Sequence, residues 1–261
     1  MQDGPSTPIE AIEESPQESL DQTSTVNKLR PSRPFSHRSL KRRITGLKDA
    51  LGKAETNAME DSVTGLKSRR WFDGQLEIAV RKAERRQAEI KKLREQGQPV
   101  DERDDGSFWM ELEDLDDFKQ FNTFYLWAGG DLALKTMAIP ETRPGEEKAR
   151  YGGDEFARLI NSNITEDEII RLANRDSETV REESRRAISQ LTPRFPEKDG
   201  KYPPREVTLS IGLVKYQPGM STEDLRLLAN KAAAMAKETK DTIIICRDGL
   251  NFETVKVPVE V

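Results

Sequence analysis

Two glycines followed by two carboxylates, set between short runs that read as strands, limit this chain's fold more than any other stretch. In RYGGDEFARLI, residues 150–160, the glycines fall where a hairpin has to reverse. Glycine adopts backbone angles that other residues avoid and lets a ligand approach the main chain closely. Asp154 and Glu155 follow directly. Adjacent carboxylates at such a turn can hold a hard metal ion or move a proton. Spacing alone equally allows a plain turn with solvated acids.

A hairpin needs a sheet around it. FWMELED, residues 108–114, alternates as a strand, with Phe108, Met110 and Leu112 on one side and Trp109, Glu111 and Glu113 on the other. A helix is predicted from Arg69 to Gln96, its apolar face made by Phe72, Leu76, Ala79, Val80 and Ala83. Beyond Ala83 the charges crowd, so the helix is expected to project into solvent and stop near Gly97 and Pro99. Further helices are expected over Gly130 to Ala138, over 165–190, and from 222, where Thr222 reads as the cap. VTLSIGLVKY and TIIIC read as strands, the first with Val207, Leu209, Ile211 and Leu213 on one face. The order is β-α-β-β-α-β. That suits an α+β fold with a central, mainly antiparallel sheet and helices packed on it.

Composition narrows the chemistry. A chain of 261 residues can bury a core, and equal shares of hydrophobic and charged residues, 34% each, fit one core with polar extensions. The net charge of −5 offers no general pull toward nucleic acid. The single cysteine, Cys246, rules out an intramolecular disulfide and points to a reducing, cytoplasmic setting. No stretch approaches the ~20 apolar residues of a membrane span, and no signal-peptide core follows Met1. His37 is the only histidine. Neither a histidine-dependent triad nor a multi-histidine zinc site can therefore be built from this chain alone. A metal site has to be carboxylate-based, which favours magnesium, manganese or calcium.

The N-terminal region is different in kind. Residues 1–36 are rich in Ser, Thr, Pro, Gln and Glu and are expected to be disordered. Residues 28–43 carry seven Lys or Arg and no acid. That run reads as a solvated linker, with contact to an acidic partner or anionic lipid as the alternative. Leu40, Ile44, Leu47, Leu51, Ala54 and Ala58 follow a heptad-like spacing. A linker helix over 37–60 could pair with a second copy through this seam. A single helix packing on its own domain fits the same spacing.

Asp114 ends one predicted strand and Asp154 sits at the turn of the hairpin, each with a further acid beside it, Asp116 and Glu155. Carboxylates from adjacent strand ends can grip one or two divalent ions, which position a triphosphate and activate a hydroxyl. In the intervening FKQFNTFYLWAGGD, Lys119 could reach a phosphate, and Asn122 and Asp131 offer an amide and a carboxylate that could read a base edge.

This pattern resembles the GGDEF domains, the diguanylate cyclases. RYGGDEF matches their signature, and the likeness continues in order through DSVTGLKSRR at 61–70, DLDDFKQFN at 114–122, GGD at 129–131, VTLSIG at 207–212 and LANKAAAMAK at 228–237. The resemblance implies a domain over 61–250 with a nucleotidyl-cyclase or polymerase-palm-like core, followed by a tail over 251–261. It implies metal ligation of Mg2+ or Mn2+ by Asp114, Asp154 and the carbonyl of Leu115, and a catalytic role for Glu155 as base alongside Asp154. It assigns guanine recognition to Asn122 and Asp131. It assigns phosphate contacts to Lys119, Lys237 and backbone N–H groups near Asp116 to Phe118. The implied reaction joins two GTP molecules into cyclic di-GMP with loss of pyrophosphate, one GTP per domain, so that a homodimer brings two sites together. Arg143 and Glu146 match the offset of an inhibitory product site, with Glu where the family has Asp.

The chain departs from the family around the nucleotide. Thr123, Leu126 and Trp127 stand where the family has Asp, Gly and His, and the Gly-Arg-Asn after the last lysine is absent, with Lys240-Asp241-Thr242 in its region. Leu at a glycine position resists positive φ. Trp127 adds bulk beside the expected base pocket. These changes keep two other readings open: a degenerate domain that binds GTP or cyclic di-GMP without turnover, and a dimerisation or interaction module.

Overall fold

The computed structural model describes residues 41, 43–45, 59–140, 142, 146–160 and 164–255. Two units separate, Met1–Gly46 and Leu47–Val261. In the first, Thr45 Oγ1 donates to the Lys41 carbonyl at 3.0 Å within a helical turn. The expected disordered tail, His37, and Leu40, Leu47, Leu51, Ala54 and Ala58 of the seam lie outside the described residues.

The second unit holds one sheet. Its strands are β1 (Lys67–Ser68), β2 (Trp109–Leu115), β3 (Glu147–Arg150), β4 (Glu155–Ile160), β5 (Leu209–Lys215), β6 (Thr242–Cys246) and β7 (Phe252–Val255). Its helices are α1 (Arg69–Glu95), α2 (Phe118–Thr136), α3 (Glu166–Ile188) and α4 (Thr222–Thr239). The strand order is β1-β3-β4-β2-β5-β6-β7. Only β1–β3 and β5–β6 pair in parallel; the other four pairings are antiparallel. The expected β-α-β-β-α-β core is β2-α2-β3-β4-α3-β5.

Strand β2 is central and buried along its whole length. Alternation divides its side chains between two cores. Trp109 and Leu115 pack with Phe121 and Leu134 of α2 and Ile169 and Leu172 of α3. Met110 and Leu112 pack with Phe72 and Leu76 of α1 and Leu225 and Ala229 of α4. Val207, Leu209, Ile211 and Leu213 join the first core together, as their period of two predicts.

Four details differ from the sequence reading. Helix α2 begins at Phe118 rather than near Gly130, so that it also carries Lys119 and Asn122. The far half of α1 does not project freely: Ile90 is buried, and Arg86 Nε donates to Asp104 Oδ2 at 2.7 Å, tying the helix to the loop that follows it. The cap of α4 is Ser221, not Thr222, in a capping box with Asp224. Phe252–Val255, expected to belong to a tail, pairs with β6 as a strand.

Candidate active site

Asp114 and Glu155 are direct partners across β2 and β4, and the Leu115 N–H donates to the Asp154 carbonyl at 3.1 Å. The 151–154 turn is thus hydrogen-bonded to the end of β2. Neither Gly152 nor Gly153 has a positive φ. Gly152 instead leaves room for Glu155: a Cβ there would lie 2.4 Å from Glu155 Oε2, so the Glu155 carboxylate folds back over the bare backbone. The Glu155 carbonyl accepts from the Tyr151 and Gly152 N–H groups at 2.7 and 3.1 Å. Arg150 closes the turn from below. Its Nη2 donates to the Gly153 carbonyl at 2.6 Å and its Nη1 to Asp61 Oδ2 at 3.0 Å. Asp61 Oδ1 in turn accepts from Thr64 N–H and Oγ1, both at 2.8 Å. The sequence reading did not single out Arg150; its only signal was its place directly before the hairpin.

Asp114 is 8% exposed. Burial raises its pKa to about 6 against the opposing effect of Lys237, with the Asp154 and Glu155 charges raising it further. Lys237 Nζ from α4 spans both Asp114 oxygens, at 2.5 and 2.7 Å. Among the described residues no three acids, histidines or cysteines are gathered around one point. The donors are nonetheless hard oxygens suited to magnesium or manganese. Asp114 already holds a cation, the Lys237 ammonium, with Asp154 close enough to act on its charge. The residues fit a divalent ion once Lys237 turns away, and that side chain is 45% exposed.

Asp116 has a different job. It is buried, with Oδ1 accepting from Ser210 Oγ at 2.6 Å and Oδ2 from Thr208 Oγ1 at 2.8 Å and the Asp241 N–H at 2.9 Å. Its own N–H is spent on the Thr208 carbonyl at 3.0 Å, so this group is not available to a phosphate. The Asp116 carboxylate thus fastens the β2–α2 link to β5 and β6.

Helix α2 starts at Asp117, in the left-handed region at φ 53°, with no side chain capping its first turn. Its first-turn N–H groups carry no side-chain cap and Lys119 is exposed beside them, an arrangement that can receive an anion. The helix breaks at Leu126, φ 59° and ψ −159°, a region open essentially to glycine alone. The two halves fold closely enough that a Cβ on Gly130 would meet Asn122 Oδ1 at 2.1 Å. The Asn122 amide therefore lies against the residue preceding Asp131, and both side chains are half-buried. Trp127 is 83% exposed, so its ring does not fill the interior.

A second strained stretch faces the first turn of α2. Lys240 (φ 60°, ψ 163°) and Asp241 (φ 46°) join α4 to β6. Lys240 Nζ pairs with Asp117 Oδ2 at 2.7 Å, both side chains well exposed. Such a pair contributes about 0–1 kcal/mol, whereas backbone in that region costs about 1–3 kcal/mol per residue.

Of the remaining expected residues, Arg143 lies outside the described set. Glu146 is buried, 4.0 Å from Arg158 Nη1. It faces a closed network: Arg158 Nη2 lies 2.6 Å from Glu111 Oε2, Arg158 Nη1 2.6 Å from Asp176 Oδ2, and Lys148 Nζ 2.8 Å from Glu113 Oε2. The Glu146 carboxylate thus lies buried at the margin of this network.

The family profile described as "Diguanylate cyclase, GGDEF domain" matches residues 90–242. Probable diguanylate cyclase DgcT of Escherichia coli is 32% identical over 54% of this chain and 29% of its own length. Diguanylate cyclase VdcA of Vibrio cholerae is 29% identical over 70% of this chain and 45% of its own length. The chain thus spans less than half of these curated relatives. Among solved structures, the coiled coil and GGDEF domain of DgcB from Caulobacter crescentus, in complex with c-di-GMP, aligns with a TM-score of 0.58 at 20% identity, covering 80% of this chain and 96% of that one. At that identity the likeness speaks for the fold.

Proposed function

The chain belongs to the GGDEF domain family, and from that premise we propose that it is a diguanylate cyclase, condensing two GTP into cyclic di-GMP with release of pyrophosphate. The observation that carries this reading is the pairing of Asp114 and Glu155 across β2 and β4, with Asp154 hydrogen-bonded through its carbonyl to Leu115. Asp114, Asp154 and the Leu115 carbonyl would hold Mg2+ or Mn2+, which neutralises phosphate charge and favours ionisation of a hydroxyl. Asn122 and Asp131 receive guanine; Lys119 and Lys237 take phosphate oxygens. Glu155 accepts the proton of the attacking 3′-hydroxyl. A bond forms from O3′ to the α-phosphorus of the other nucleotide as its bond to pyrophosphate breaks. The step occurs twice, so the active form is a dimer with two sites facing each other. No helix among the described residues is long and apolar enough to cross a membrane.

The Lys237 seal on Asp114 and the strained Leu126 favour one other reading, a domain that binds guanine nucleotide without turnover. Incubation with GTP and magnesium or manganese, followed by separation of the nucleotides, distinguishes the two. The cyclase reading expects cyclic di-GMP and pyrophosphate from the parent chain and neither from Asp154→Asn. Bound but unconverted GTP would leave only the second reading.

A further inference from the structure

Two ion pairs run in step between α4 and the end of β2. Lys237 pairs with Asp114 and, three residues on, Lys240 pairs with Asp117, again three residues on. Lys240 occupies a backbone region in which glycine alone is at ease, and its neighbours are made to accept it. The Thr242 hydroxyl donates to the Lys240 carbonyl at 2.6 Å, the Asp241 N–H donates to Asp116, and Arg181 pairs with the Asp241 carboxylate. Strain of this kind persists only where the surroundings over-determine it, and it clusters at functional sites. The exposed pair with Asp117 contributes less than the backbone costs, so it does not account for a lysine here. What lysine supplies over glycine is a mobile ammonium beside the uncapped first turn of α2, one helical turn from Lys237.

We propose that Lys240 binds the terminal phosphates of GTP, passing from Asp117 to the polyphosphate as the nucleotide enters. This rests on the nucleotide reading above and extends it to a residue particular to this chain. Both side chains of the Lys240–Asp117 pair are well exposed, so water takes over the charge of Asp117 when the ammonium leaves.

The test is binding of GTP and of GMP, each with magnesium, to the parent, Lys240→Gly and Lys240→Arg, alongside urea denaturation. Lys240→Gly should be more resistant to urea than the parent, because glycine suits its backbone. It should nevertheless bind GTP about tenfold more weakly, the scale of one hydrogen bond between charged groups. GMP, which lacks the terminal phosphates, should bind all three proteins alike, and Lys240→Arg should recover most of the GTP affinity. The inference is overturned if Lys240→Gly binds GTP as tightly as the parent, or if GMP weakens as much as GTP. A parent that binds neither nucleotide removes the nucleotide reading itself, and Lys240 with it.

Discussion

Glu111 and Glu113 lie on one face of β2, and Asp114 ends the other face one residue later. All three are buried, but their surroundings differ. Glu111 and Glu113 meet Arg158 from the adjacent β4 and Lys148 from β3 beyond it, and are sealed beneath α2 and α3, with side-chain exposures of 0–2% throughout. Asp114 meets a lysine on a long, half-exposed arm at the open end of the sheet. Inside, the counter-charges are fixed to the sheet and cannot leave without exposing a bare charge. At the edge, the counter-charge can swing into solvent and be replaced. A strand can thus carry one set of acids for structure and another for chemistry, separated by what happens to the partner cation.

The largest effect should come from removing the inner cation. Arg158→Met leaves Glu111 and Asp176 buried without their shared partner, at a cost of about 3–5 kcal/mol in chemical denaturation. Asp114→Asn at the edge should cost less than about 1 kcal/mol, since Lys237 can turn to water. The same substitution should lower metal-dependent turnover by at least about a hundredfold, the scale set by one preorganised electrostatic group. Equal destabilisation by both substitutions would break the contrast.

Acidity sharpens it further. Complete burial raises the Glu111 pKa to about 7 from 4.5, the Arg158 charge opposing and the Glu113 charge adding to the rise. Glu111 Oε1 also has no hydrogen-bond partner. Between those two values the folded chain binds more protons than the unfolded chain, so stability should fall as pH rises from about 4.5 to about 7 and then level off. The loss attributable to this group is on the order of 3 kcal/mol. Glu111→Gln should flatten the pH profile of the denaturation midpoint across that window; an unchanged profile would show that the carboxylate keeps its charge throughout.

The sequence and the structure agree best where local pattern decides. The alternation of β2, the apolar row of α1 and the hairpin at 150–160 follow from periods of 2 and 3.6 and from glycine placement, and each is found as expected. What pattern could not reveal are pairings across the fold. Glu111 and Glu113 read as the polar face of a strand, because Arg158 and Lys148, which bury them from other strands, are invisible to spacing. The role of Asp116 depends on Ser210 and Thr208, more than ninety residues away. The helical start at Phe118 is signalled only by Phe118, Phe121, Phe124 and Tyr125 at helical spacing, while its first turn is set by Asp117 in a left-handed conformation that no sequence pattern announces. Of the two properties that favour glycine in the signature, the close approach is found, Gly152 against Glu155, and the positive φ is not.

Leu126 offers a smaller and more local effect. Its backbone lies in glycine's territory at a cost of about 1–3 kcal/mol, and with its side chain 49% exposed it recovers little by burial. Leu126→Gly should therefore gain about 1 kcal/mol after the added flexibility of the unfolded chain is counted. The gain should appear as a higher urea midpoint with an unchanged slope. Destabilisation would mean that the Leu126 side chain makes contacts worth more than the strain.

Trp127 should matter least to the fold and bears most directly on whether the edge is open. At 83% exposure it buries little surface, so Trp127→Ala should shift stability by less than about 0.5 kcal/mol. Its effect on GTP has three distinguishable signs. An indole that obstructs the base pocket would, once removed, let GTP bind more tightly. An indole that stacks on guanine would, once removed, weaken binding by about 1–3 kcal/mol, as aromatic platforms do for bases. An indole that points away leaves affinity within about twofold, too small a free-energy change to assign to a contact. The outward placement of the ring, with Asn122 held against Gly130 on the inner side of the kink, leads to the third outcome. Calorimetric titration of GTP into the parent and Trp127→Ala decides it. A clear gain in affinity would place the indole over the pocket and turn the open edge into a closed one, leaving Asp114 as sealed as Glu111.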